Sequence, residues 1–254
     1  MGNPRLEDMT WPEIRAAIEG GQRTVIVAVA SMEQHGPALP VNTDAVIGDA
    51  QAAALARELG DALVAPVVYP GCSDHHLAWP GTLSVPREVL ADVLGGVVEG
   101  LARAGFEEII LFPSHGGNFD PVRAALPAIR QRALQAEVVD LLDIRAVLEA
   151  WFSVTAAHGF PDRTPPHADL IETSMMLYLR PDSVRADRLE RGFVGQPDFT
   201  VMMREGLQHY TDNGVLGDPR GASPGIGKDL IDAWVRYAAE EIRRRRMERP
   251  GGSI

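Results

Sequence analysis

Residues 24–45 read TVIVAVASMEQHGPALPVNTDA, an apolar run that breaks abruptly into Glu33, His35 and Asp44. The run is short, rich in valine and continuous rather than alternating. That is the pattern of a strand covered on both faces, as in a parallel sheet. Polar groups delivered at the end of such a strand are costly to bury unless something binds them. A divalent cation is the first candidate, and the rest of the chain must supply the remaining ligands.

Three more runs of the same kind follow, at 62–69 (ALVAPVVY), 108–112 (EIILF) and 137–142 (EVVDLL). Helical patterns lie between them. Residues 44–59 are alanine-rich and stop at Gly60, and 86–104 open on proline and stop at Gly105, the usual punctuation of a helix. Segments 121–134 and 226–246 are also amphipathic. Alternating strands and helices predict an α/β fold, a three-layer sandwich with a mainly parallel sheet flanked by helices. With no repeat and no low-complexity linker, residues 1–254 are expected to form a single domain. Two stretches, 151–166 and 191–223, read as long loops, which inside a compact domain are usually functional.

The composition narrows the class. A net charge of −11 argues against nucleic acid or an anionic membrane as partner, since either wants a basic face. The one basic run, Arg243 to Arg246, reads as a solvated helix face near the negative end of the helix dipole. A single cysteine, Cys72, excludes an internal disulfide and fits a reducing compartment. Nothing marks it as a nucleophile. No apolar stretch approaches the ~18 residues of a membrane span, and no secretory signal opens the chain, so a cytoplasmic location is expected.

In an open α/β sheet, ligands bind beyond the carboxyl ends of the strands. The first three runs lead into SMEQH (31–35), GCSDHH (71–76) and PSHGGN (113–118), which brings acids and histidines to one edge. Glu33 after a buried strand points to a metal ligand, and His35 two residues on would share its face in an extended segment. Asp44 can cap the helix it precedes or bridge two cations with its two oxygens. The glycines after His115 let backbone approach a ligand. His75 and His76 are adjacent and would point apart, so at most one is expected to face the site. In PHADLIETSMMLYL (166–179), His167 and Glu172 reach a common site if the histidine lies in the loop and the glutamate in the first helical turn.

These stretches resemble the creatininase, or creatinine amidohydrolase, family. The resemblance rests on Glu33-x-His35-Gly36 with Asn42-Thr43-Asp44, on Trp79-Pro80-Gly81-Thr82, on His115-Gly116-Gly117-Asn118, on His167 with Glu172-Thr173-Ser174, and on GVLGDPRGASPGIGK at 214–228. It implies a single α/β domain holding two divalent metal ions per chain (zinc, manganese or iron) in a homo-oligomer, often a hexamer. Glu33, Asp44 and His115 would hold one ion, and His35 with a bridging Asp44 the other. Creatininase itself carries a glutamate where this chain has Gly117, so Glu172 is the acid placed to complete the second ion's ligands. It also has a tryptophan shortly before the histidine that matches His167, where this chain reads Arg163-Thr164-Pro165-Pro166. A member other than creatininase is therefore implied.

The chemistry expected is hydrolysis of a C–N bond in a small amide, cyclic amide or formamide by a metal-bridging hydroxide. His167 and Glu172 are the expected catalytic residues, with His167 shuttling a proton to the leaving nitrogen; the alternative for His167 is a loop histidine bonded to backbone. Ser73, Trp79, Gly116, Gly117 and Asp169 are expected to contact substrate. Two other readings stand beside this one: a metallopeptidase that trims a short peptide, as in mycofactocin maturation, and a metal-stabilised scaffold without catalysis.

Overall fold

The computed structural model describes residues 4–248. The four apolar runs become strands β1 (Thr24–Val29), β2 (Ala62–Val64), β3 (Glu108–Pro113) and β4 (Glu137–Asp140). All pair in parallel, in the order β2–β1–β3–β4. The chain leaves β1 for β2 on one side and then crosses to β3 on the other. The switch point of the sheet thus lies between β1 and β3, where a crevice opens beyond the strand ends. The register sets Thr24 opposite Glu108 and Val29 opposite Pro113, so these two strands end level. β2 is shorter than expected because Pro66 has no N–H for the ladder. Val68 rejoins β1 beyond it, donating to the Ala28 carbonyl at 3.0 Å and accepting from Ala30 N–H at 2.9 Å.

Eight α-helices accompany the sheet among the described residues: α1 (Trp11–Glu19), α2 (Thr43–Leu59), α3 (Arg87–Ala104), α4 (Phe119–Arg132), α5 (Ile144–Ala157), α6 (Leu170–Leu179), α7 (Phe199–Glu205) and α8 (Pro224–Met247). Alternate strand residues sort the core into two layers. Val25, Val27, Val29, Ile109 and Leu111 pack with Leu90, Leu94 and Val98 of α3 and Val122, Leu126 and Ile129 of α4. Ile26, Ala28, Ile110 and Phe112 face Ala52 and Leu55 of α2, Val147 of α5, and Trp234, Ala238 and Ile242 of α8. This is the expected three-layer sandwich. A third cluster joins α6, carrying Ile171, Met175 and Met176, to Ile226, Leu230 and Ile231 of α8.

Three sequence expectations need correction. The loop predicted from residue 151 begins only after Ala157, because Val147, Leu148, Trp151 and Phe152 form a helical stripe on α5. Segment 191–223 contains α7, capped by the Asp198 side chain, which accepts the N–H groups of Thr200 and Val201. The basic run is only in part a solvated face: Arg243 and Arg244 are exposed, whereas Arg245 and Arg246 are half-buried, and all four are ion-paired. Arg243 reaches Glu58, Arg244 reaches Glu241 and Glu248, and Arg245 reaches Glu241 and Asp140. Arg246 donates to Thr24 Oγ1 at 2.9 Å and to the buried Glu108 at 2.5 Å. No helix among the described residues is long and apolar enough to cross a membrane.

Candidate metal centre and active site

The level ends of β1 and β3 place Glu33, His35 and His115 side by side at the switch point, and α2 brings Asp44 to them in its first turn. All four are buried. His115 Nδ1 lies 3.2 Å from Glu33 Oε2 and 3.3 Å from Asp44 Oδ2. His35 Nε2 lies 3.3 Å from Asp44 Oδ1 and 3.5 Å from Glu172 Oε2. His167 sits on a single β-bridge to Leu216, just ahead of α6, and its Nδ1 is 3.6 Å from Glu33 Oε1. Glu172 occupies the first turn of α6, so the loop-and-first-turn arrangement expected of this pair is the one observed. Between His167 and the helix, Ala168 takes a left-handed φ of 53°. There its N–H meets Glu172 Oε2 at 2.5 Å.

Buried hydrogen bonds fix which atom each histidine presents. His35 Nδ1 donates to the Glu33 carbonyl at 3.1 Å, which turns Nε2 toward the carboxylates of Asp44 and Glu172. His115 Nε2 lies 3.1 Å from the Cys72 carbonyl, which turns Nδ1 toward Glu33 and Asp44. Ser73 donates to Glu33 Oε2 at 2.6 Å and meets Ser31 Oγ at 2.5 Å. Asn118, the last residue of the HGGN stretch, accepts from Cys72 N–H and donates to the carbonyls of Val29 and Ala30. It therefore ties the ends of β1 and β3 to the loop that carries Ser73 and both of the adjacent histidines.

Three carboxylates share this space, and among the described residues no lysine or arginine pairs with them. Burial opposes ionisation of Glu33 and Asp44, but histidine neighbours, His115 for the first and His35 for the second, hold both below their ordinary values. Burial pushes His35 down, yet Glu172 and Asp44 outweigh it and raise the imidazole to about 10. The same balance, with Glu33 foremost, raises His115. Burial lifts Glu172 to about 7. His167 is depressed to about 3 by burial and by His35. The donor set fits a divalent cation. His35 Nε2 and Asp44 Oδ2 are buried and make no hydrogen bond, a rare condition for polar atoms unless an ion completes them. Three groupings converge closely enough to hold a metal: Glu33 with His35 and Asp44, His35 with His167 and Glu172, and Glu33 with His76 and His167.

A cavity of about 390 Å³ opens above this floor, and Gly116 and Gly117 line it. A Cβ at Gly117 would come within 2.4 Å of His115 Nε2 and 2.5 Å of the Cys72 carbonyl, so the position admits no side chain. Ser73, Trp79 and Asp169 do not line the cavity. Ser73 braces Glu33, Trp79 packs behind the wall formed by Met202, Leu207 and Leu216, and Asp169 caps α6 by accepting the N–H groups of Ile171 and Glu172. His75 and His76 both line it, contrary to the expectation of one. They sit on a 3₁₀ turn, where neighbours diverge by about 120° rather than the half-turn of a strand. Two residues escaped the sequence reading, Gln34 and Asn118, although both lie inside the motifs quoted for the site.

Comparison with known proteins agrees on the family and the fold, while the relatives differ in the activity they are named for. The family model described as Creatininase: Creatinine amidohydrolase matches residues 7–242. The mycofactocin precursor peptide peptidase of Mycolicibacterium smegmatis is 32% identical over 235 residues, covering 89% of this chain and 87% of that one. The creatinine amidohydrolase of Pseudomonas putida is 27% identical over 252 residues, covering 93% and 95%. Among solved structures, one titled Creatininase Mn aligns with a TM-score of 0.77 at 26% identity, covering 96% of this chain and 99% of the other.

Proposed function

The chain belongs to the creatininase family, and from that premise we propose that it is a metal-dependent hydrolase cleaving a C–N bond of a small amide, cyclic amide or formamide. The observation that carries the reading is the orphaned pair His35 Nε2 and Asp44 Oδ2, buried in a cluster of three carboxylates that no lysine or arginine among the described residues pairs with. Glu33, Asp44 and His115 would hold one divalent ion; His35, Asp44 and Glu172 would hold a second, with Asp44 shared. Such ions supply the Lewis acidity that polarises a carbonyl and draws the pKa of water from ~15.7 toward 7.

The chain's own groups supply the rest. Neutral His167, with Nδ1 bare toward the floor and Nε2 2.9 Å from the Gln34 carbonyl, takes the proton of the attacking water and returns it to the leaving nitrogen. A shuttle of this kind contributes about 10²–10⁴-fold. The apolar walls, from Phe119, Trp151, Met202 and Leu207, limit water and seat the body of the substrate.

A second reading, a peptidase trimming short peptides, is favoured by two observations. One is the relative named for that activity at 32% identity. The other is the long apolar wall of the cavity, which offers more surface than a small amide covers.

The experiment is elemental analysis of the purified chain, followed by turnover of formamides, lactams and short peptides on the loaded protein. About two ions per chain and release of an amine are expected. A chain that binds its ions but turns over none of these substrates would leave the scaffold reading in its place, and one that binds no zinc, manganese or iron even after reconstitution would defeat both.

A further inference from the structure

Gln34 lies between two candidate ligands, and its side-chain amide is buried. Backbone orients that amide from both sides. Gly36 N–H donates to Oε1 at 2.9 Å, and Nε2 donates to the Gly214 carbonyl at 3.0 Å. Gly214 has φ +77°, and a Cβ there would come within 2.1 Å of Gln34 Oε1, so only glycine lets the chain close on the amide. Turning the amide over would set an NH₂ against Gly36 N–H and an oxygen against the Gly214 carbonyl. Thr82 ties the frame to the neighbouring loop, accepting from Gln34 N–H at 3.1 Å and donating to the His76 carbonyl at 3.2 Å.

One N–H of the amide remains, and two imidazole nitrogens are within its reach, His76 Nδ1 at 3.0 Å and His167 Nε2 at 2.9 Å. The second is already committed. His167 Nε2 lies 2.9 Å from the Gln34 backbone carbonyl, which can only accept, so that nitrogen carries the proton. The remaining amide N–H therefore goes to His76 Nδ1. A neutral imidazole has one donor and one acceptor, so His76 holds its proton on Nε2. That nitrogen is 3.4 Å from Glu33 Oε1, beyond an ordinary N–H···O bond, and His76 lines the cavity.

We propose that Gln34 is a positioning residue that imposes opposite tautomers on two histidines of one cavity, so that His167 presents a bare nitrogen while His76 presents an N–H to the carbonyl oxygen of the substrate. The inference rests on the hydrolase reading for the identity of that oxygen. It makes His76 the donor that stabilises charge developing there, not a metal ligand.

The test begins with ¹⁵N-histidine NMR of the metal-stripped protein at mildly alkaline pH. Wild type should show His76 protonated at Nε2 and His167 also protonated at Nε2. In Gln34→Glu the side chain can only accept, and the His76 proton should move to Nδ1. Gln34→Met, which adds no charge, should leave His76 a mixture of both tautomers. In the loaded enzyme, His76→Leu should keep wild-type metal content and lose about 10²–10³-fold in kcat with KM little changed. His76→Asn, which retains an N–H donor, should recover part of that loss. A wild-type His76 protonated at Nδ1, or an ion lost from His76→Leu, would overturn the proposal. The tautomer measurement needs no substrate, so a protein that hydrolyses no amide would defeat the hydrolase reading and leave this result to decide the tautomers.

Discussion

At the scale of single residues, the site is a set of charges held close by burial. If Glu172 replaces a ligand that Gly117 cannot provide, Glu172→Ala should reduce the metal content from about two ions to about one per chain by elemental analysis. Gly117→Ala should displace His115, because its Cβ would meet the ring nitrogen and the Cys72 carbonyl; a loss of about 1–3 kcal/mol in denaturant unfolding is expected. His35, raised to about 10 from 6.5, favours its proton in the folded chain. Its contribution in metal-stripped protein is complete below pH 6.5 and lost as pH rises through 10. Glu172, raised from 4.5 to about 7, loses its contribution over that lower interval in the same sense. His75 and His167, depressed to about 4 and 3, act oppositely, losing theirs as pH falls below 6.5. His115, raised in the same way, acts in the same sense as His35, so above pH 7 the melting temperature of the metal-stripped protein should fall toward pH 10; a flat curve would contradict buried imidazoliums at this pair. Glu33, His35, Asp44 and His115 were legible in sequence because strand ends deliver them locally. Gln34 was not, because its role depends on Gly214, 180 residues away.

At the scale of elements, the short helix α6 aims the site's last acid. Its cap, Asp169, accepts two N–H groups, one of them from Glu172 itself. Asp169→Ala should therefore cost about 1 kcal/mol of stability and also reduce metal content. Asp169→Asn keeps an acceptor and should preserve both, and loss of metal from Asp169→Asn would contradict the capping role. Strands and long helices could be anticipated because both sheet faces are covered and glycines end the helices. α5 is absent from the sequence reading because its second half, from Trp151 on, reads as part of the loop that follows and leaves too short a segment before it. α7, only seven residues long, is too short for a periodic signal.

At the scale of the whole molecule, the sheet has two poles of different character. The carboxyl pole gathers acids and histidines, while at the amino pole Arg246 fastens the end of α8 to Thr24, Asp61 and Glu108. Arg246→Ala should cost about 1–3 kcal/mol in thermal or denaturant unfolding and leave metal content unchanged, since the poles lie at opposite ends of the strands. The cavity shows a similar separation of duties. Its floor is built from strand ends, α2 and α6, whereas Phe199, Met202, Met203, Leu207 and Leu216 of its wall come from one stretch of chain. An ancestor built this way could exchange what it accepts by rewriting that stretch, without disturbing the inherited chemistry beneath it.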